Sequence, residues 1–478
     1  MDPVLGLSTT RQRVVALALP NLQLQGTVSP FLANLSFLSV LNLGNNSFHG
    51  DIPYVLGHLP RLRVIDIRNN QLQGSIPTSL FQNQRVQKIS LPFNKLSGEM
   101  WKGPWYVPEL RVLNLGNNNL TGIIPPSVGN ATKLMNFSLS ANRINGNIPK
   151  EIGNLSQLAF LVLRDNQLTG SIPTSLFNIS SLVAVSLAFN SLSGPLLLDE
   201  GNIVSNLKHL SLSDNKISGC IPSNICQLTE LQILSIPVNN IIGEIPRNIG
   251  CLSKLEEFYI GDSPIKGTIP ASLANISTLQ YVSCTRNRLE GPIPPELGKL
   301  SNLRQLSFGH NYNLAGQIPE AIFNISSLRR IAFNFNNLSG TIPATTGLHL
   351  PNLEQLILAG NQLEGEIPLF ITNASKLVKE LNLRQRRWLK LLKDYDMILH
   401  YHPRKVNVVA DAFNRLSMGS LFYVEKGKRE MVKNIRRLAN LGVRLLDFEN
   451  GGVIMHEIAK STFCAEVKEK QVGDPILM

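Results

Sequence analysis

Leu110-Arg-Val-Leu-Asn-Leu-Gly-Asn-Asn-Asn-Leu-Thr-Gly-Ile-Ile-Pro125 decides the fold, because its pattern, LxxLxLxxNxLxGxIPxxL, returns along most of a 478-residue chain. Gly122 in this stretch has counterparts at Gly26, Gly50, Gly74, Gly98, Gly146, Gly170, Gly194, Gly219, Gly243, Gly267, Gly291, Gly316, Gly340 and Gly365, each 24 or 25 residues from the next. So regular a period denotes a stacked repeat in which no unit can bury its own apolar face alone. The alternation Leu113-x-Leu115 sends two leucines inward and the residues between them outward, which predicts a short strand with one buried face. Thirteen asparagines, from Asn46 to Asn361, occupy the Asn118 position, where a buried carboxamide can bond backbone groups left unpaired as the chain leaves the strand. Ser263 replaces that asparagine once, and Leu22 fills the slot in the first repeat. The glycine permits a tight turn, and Ile-Pro then opens the far side, since proline fixes φ and donates no hydrogen bond.

This is the pattern of an α/β repeat, a leucine-rich repeat solenoid with short parallel strands on its concave face. The Gly-x-Ile-Pro signature resembles that of the plant-specific class of leucine-rich repeat. Arg11-Gln-Arg-Val-Val-Ala-Leu-Ala-Leu-Pro20, Leu24-Gln-Gly-Thr-Val-Ser-Pro30 and Asn34-Leu-Ser-Phe-Leu38 resemble the first repeat of plant leucine-rich repeat receptor-like kinases, especially the pathogen-sensing group. The resemblance runs over residues 11–379. It implies a non-catalytic recognition scaffold that binds a peptide or protein, with a co-receptor kinase as a further partner, on the extracellular face of the plasma membrane in defence signalling. The division expected is a leader without a cap at 1–13, fifteen repeats over 14–379, and a different tail. Neither a secretory signal nor a capping cysteine pair is read in residues 1–10, and no apolar run approaches a membrane span. Taken as written, the chain is expected in the cytoplasm. No kinase motif is read, and no cofactor is implied.

From Glu380 the composition changes. Leu383-Arg-Gln-Arg-Arg-Trp-Leu389, Tyr401-His-Pro-Arg-Lys405 and Asn407-Val-Val-Ala-Asp-Ala-Phe-Asn-Arg415 resemble a gypsy-class LTR retrotransposon polyprotein, with the end of ribonuclease H over 380–416 and the connector towards integrase over 417–478. That resemblance places Asp411 as the last carboxylate of a two-metal site and His402 as a nearby histidine. One acid cannot assemble such a site, so the tail is read as an inactive, partly helical, poorly ordered remnant, with helical spacing at 384–393 and 425–441. The alternative function is a retroelement-derived product without activity. Of the net charge of +12, half falls in this last fifth of the chain, 18 basic against 12 acidic residues. Such a surface is read as solvated, leaving nucleic acid the minor reading.

Among the five cysteines, Cys284 falls on an inward strand position, Cys464 has no partner, and Cys226 and Cys251 stand one register apart on adjacent repeats, as a bridge or as two thiols. No His/Cys spacing matches a metal site. Eleven sequons, at Asn34, Asn45, Asn119, Asn130, Asn136, Asn154, Asn178, Asn275, Asn324, Asn337 and Asn373, all precede Lys379 and are candidates for glycosylation. Outward strand positions are mostly Ser, Asn, Gly or Ala. Repeats eleven and twelve differ, offering Glu256, Glu257, Tyr259, Asp262, Tyr281 and Arg286, and repeats thirteen and fourteen add Arg304, Arg329, Arg330 and Phe335. Aromatic and arginine side chains clustered on an open face are the candidate ligand-binding residues.

Overall fold

The computed structural model describes residues 13–100, 103–198, 206–368, 371, 373, 374, 376 and 377, and the backbone of 4–8, 443–447 and 453–457. They fall in two units, Met1–Glu290 with Lys299–Phe308, and Gly291–Gly298 with Gly309–Met478.

Each repeat of the first unit contributes one parallel strand, mostly three residues long, and strands neighbour one another in sequence order. Val112–Asn114 pairs in register with Lys88–Ser90 on one side and Asn136–Ser138 on the other. Leu110, Leu113 and Leu115 point inward and are fully buried, each contributing on the order of 2 kcal/mol of apolar burial. The asparagine ladder follows the reading of the sequence. Asn118 Nδ2 donates to the carbonyls of Leu91, Leu115 and Gly116 at 3.1, 3.0 and 3.1 Å, and its Oδ1 accepts from Leu96 N at 3.1 Å. One carboxamide therefore ties two successive repeats together.

Two features were not anticipated from the sequence. The residue before each framework asparagine lies in the left-handed region whatever its type, for example Asn117 at φ 55°, Phe189 at 57° and even β-branched Val238 at 57°. The turn thus demands a positive φ twice per repeat, and glycine meets the first demand only at Gly360, before Asn361. The chain at the framework glycine also forms a second row of short parallel strands instead of a simple turn: Ser97–Glu99, which contains Gly98, pairs with Asn119–Thr121, which stops just before Gly122, and Asn145–Asn147, which contains Gly146, pairs with Gln167–Thr169. After that row Pro125 leads into the 3-10 turn Pro126–Asn130, whose Val128 is buried. Proline suits this entry because its fixed φ starts a turn and its missing N–H would have gone unpaired.

Before the first repeat, Val4–Ser8 pairs antiparallel with Arg13–Ala18. The leader read as uncapped therefore carries an edge strand. Leu17 and Leu19 are nonetheless only half-buried, unlike Leu41 and Leu43 in the next repeat.

In the second unit Arg330–Ala332 pairs with Gln355–Ile357, and the second row continues through Asn313–Gln317, Asn337–Thr341 and Gln362–Glu364. Further along, Val443–Asp447 and Val453–Glu457 form an antiparallel hairpin where the sequence reading expected helix or disorder. Runs of Val, Leu and Ile flanking Asn450-Gly-Gly452 favour strand pairing over a helix, a signal the helical spacing of 425–441 had overshadowed. Asp411, His402, Cys464 and the segments 384–393 and 425–441 lie outside the described residues.

Candidate functional site

Repeat eleven breaks the asparagine ladder, and the candidate site gathers around that break. Ser263 Oγ reaches only its neighbours: it donates to Asn239 O at 3.1 Å and accepts from Asn239 N at 3.2 Å, while Ser263 N donates to Asn287 Oδ1 at 3.2 Å. In regular repeats the carboxamide oxygen takes the N–H of the residue 22 positions earlier, as Asn239 takes Ile217 N at 3.0 Å. The second row is reduced here to an isolated bridge between Glu244 and Lys266, as it also is between Ile123 and Asn145, where the framework asparagine is present. The shorter side chain, followed by Pro264, leaves an open depression of about 340 Å³ lined by Asp262, Ser263, Pro264, Arg286, Asn287 and Arg288.

Asp262 and Arg286, read from the sequence as strand residues, stand instead on the left-handed turn position after the strand, at φ 53° and 52°. There they form an ion pair, Arg286 Nη1 to Asp262 Oδ1 at 3.3 Å, at the rim of the depression. Both side chains keep much of their solvent contact, so the pair itself contributes little stability.

Next to it, Glu257–Tyr259 pairs with Tyr281–Ser283, which places Glu257 opposite Tyr281 and Tyr259 opposite Ser283. Phe258 and Val282 fill the core between them. The Tyr259 phenol is pushed well above the ordinary tyrosine range, first by desolvation, then by the charge of Glu257, whose carboxylate accepts its hydrogen bond. It stays a neutral donor across the physiological range. Glu256 lies just before the strand and accepts from Gln280 Nε2 at 3.0 Å. Arg304, also just before its strand, is exposed, with its N–H bonded to Gln280 O.

Arg329, Arg330 and Phe335 belong to the second unit. Arg329 approaches Glu354 at 3.8 Å, Arg330 is an exposed strand residue, and Phe335 stacks on His310 at 4.6 Å between ring centroids. His310, unremarked in the sequence, also faces the exposed Tyr312 edge-on. Ser263, Pro264 and Arg288 were likewise missed as site residues. The single interruption of the asparagine column was the signal that could have found them.

Cys226 and Cys251 are joined in a disulfide with Cα atoms 5.6 Å apart, linking two neighbouring far-side turns. Cys284 is fully buried, and burial raises its thiol pKa above the ordinary range. Ten of the eleven sequon asparagines are exposed, and Asn45 is half-buried within a ladder of asparagine side chains. Among the described residues no group of His, Cys, Asp and Glu could hold a metal ion, and no helix is long and apolar enough to cross a membrane.

Comparison with known proteins agrees with this geometry. A leucine-rich repeat region matches residues 194–388, a leucine rich repeat matches 108–168, and further repeats match 37–59 and 61–83. The crystal structure of PEPR1–AtPEP1 is 34% identical with a TM-score of 0.74, the match covering 77% of this chain and 52% of that one. The ectodomain of the plant membrane receptor kinase GASSHO1/SCHENGEN3 from Arabidopsis thaliana, in complex with CASPARIAN STRIP INTEGRITY FACTOR 2, is 30% identical with a TM-score of 0.54, covering 75% of this chain and 48% of that one. The plant peptide hormone receptor RGFR1 in complex with RGF2 is 28% identical with a TM-score of 0.59, covering 76% and 69%. This chain spans about half the length of the first two. No curated protein matches it. The fold is a leucine-rich repeat solenoid, and its likeness extends to the ectodomains of plant receptors.

Proposed function

We infer that the chain is a non-catalytic recognition scaffold, part of a plant receptor-like ectodomain, that binds a peptide on the open sheet face of repeats eleven and twelve and acts outside the cell in defence signalling. The observation that carries this reading is the continuity of two unlike surfaces. A strip of carboxylates and phenols, Glu256, Glu257, Tyr259 and Tyr281, runs into a depression edged by Arg286 and Arg288. Half-exposed aromatic rings offer contact area at low entropic cost, and guanidinium groups take carboxylates in paired hydrogen bonds. A peptide with a basic side chain over Glu256 and Glu257 and an acidic group at the depression satisfies both. The structural relatives support the class of ligand, since one is a plant peptide hormone receptor in complex with RGF2 and another a plant receptor kinase ectodomain in complex with CASPARIAN STRIP INTEGRITY FACTOR 2.

The test uses peptides selected from a displayed library on the full chain. Replacing Tyr259, Tyr281 and Arg286 together by alanine is expected to weaken the selected peptides at least about tenfold, the order of a hot-spot loss, in a variant whose circular dichroism spectrum remains that of the native fold. Undiminished binding by the triple variant overturns the placement of the site.

A further inference from the structure

We propose that Asn136 carries an N-linked glycan whose first sugar packs on Phe160, occupying the open sheet face at repeats six and seven. The sequon Asn136-Phe137-Ser138 is unlike those at Asn130, Asn154 or Asn178, which close 3-10 turns. Asn136 instead opens a strand of the main sheet, with its side chain exposed and Phe137 buried beneath. In register on the next strand stands Phe160, a phenyl ring 44% exposed on the open face, with half-buried Ala184 on its other side. Met135, 41% exposed, precedes Asn136, and its carbonyl accepts from Phe160 N at 3.0 Å. Neighbouring strands lie about 4.8 Å apart, which is within reach of a sugar attached to the Asn136 amide. The electron-poor C–H face of an N-acetylglucosamine matches the π face of a phenyl ring. One covalent occupant thus explains why an apolar pair is left open beside a modifiable asparagine.

The chemistry is transfer of an oligosaccharide from its lipid pyrophosphate carrier by the host transferase. The bond from sugar C1 to Asn136 Nδ2 forms as the bond from C1 to the pyrophosphate oxygen breaks, and the amide gives up one proton. The disulfide between Cys226 and Cys251 belongs to the same oxidising compartment in which this transfer occurs. The inference does not depend on where a peptide binds. It does imply that repeats six and seven are screened from macromolecular ligands.

The experiment directs the full chain through a plant secretory pathway and examines the tryptic peptide Leu134–Arg143, which holds a single sequon. That peptide is expected to carry glycan mass. Phe160→Ala is expected to keep it modified but to speed endoglycosidase release of the Asn136 glycan about fivefold, the scale of one lost aromatic contact, with release at Asn154 unchanged. An unmodified Leu134–Arg143 in molecules glycosylated at Asn154 overturns the proposal and returns the patch to peptide binding. An unaltered release rate in Phe160→Ala overturns the packing.

Discussion

Asn118 makes four backbone hydrogen bonds from one side chain that is 8% exposed. Truncation to alanine leaves Leu96 N–H without its acceptor in the interior, while the carbonyls of Leu91, Leu115 and Gly116 keep Asn94 Nδ2, Asn142 Nδ2 and Phe93 N, so Asn118→Ala should cost about 2 kcal/mol, measured by urea denaturation. A cost below about 1 kcal/mol would show that water replaces the carboxamide. Gly122, at φ +85°, faces Glu99 Cβ at 3.3 Å from where a methyl group would stand. Gly122→Ala therefore adds strain of about 1 to 2 kcal/mol. At the candidate site, Tyr259 has its folded pKa raised, so its contribution to stability is complete below the unfolded value of about 10 and falls away as pH rises above it. Melting temperatures should therefore drop above about pH 10 more steeply in the native chain than in Tyr259→Phe, and parallel curves would contradict the burial of that phenol.

The leucine, asparagine and glycine columns were legible because each residue type answers one local demand that recurs every turn of the solenoid. The second strand row was not, since Asn119-Leu-Thr and Gln167-Leu-Thr are too short to announce a strand without their neighbours. Nor was the left-handed position before each asparagine, because Phe93, Val238 and Arg286 hide it behind side chains that ordinarily avoid it. Tertiary stacking overrides local preference there. The disulfide belongs to this scale as well. It closes a loop across adjacent turns directly before the repeat whose ladder is broken at Ser263, and the last of its turns, Ile249–Cys251, is shortened to three residues. Cys251→Ser should lower stability by about 3 kcal/mol, the entropy of a loop of this length, and should speed amide exchange over residues 240–268 first. Uniform acceleration along the chain would show that the clamp is not local. With the fold intact, an alkylating reagent should label exposed Cys220 and spare buried Cys284 until the chain unfolds.

For the whole molecule, the repeat region was readable from one period, whereas the candidate site was readable only as composition. Tyr259, Glu257 and Tyr281 do meet on adjacent strands, but the sequence could not show that Asp262 and Arg286 sit on turns around a depression created by a serine in an asparagine column. There Ser263 Oγ takes the Asn239 N–H and Ser263 N–H goes to the Asn287 carboxamide, a relation between repeats that no single repeat encodes. Ser263→Asn should restore the carboxamide acceptor, raise stability by about 1 kcal/mol and fill the depression, so that library-selected peptides bind more weakly to a more stable protein. The most direct measurement of the recognition site is hydrogen exchange of the full chain with and without a saturating selected peptide. Protection confined to the strands and turns of residues 256–288 is the result predicted. Protection centred on the far-side turns, or spread over repeats outside that segment, would contradict it.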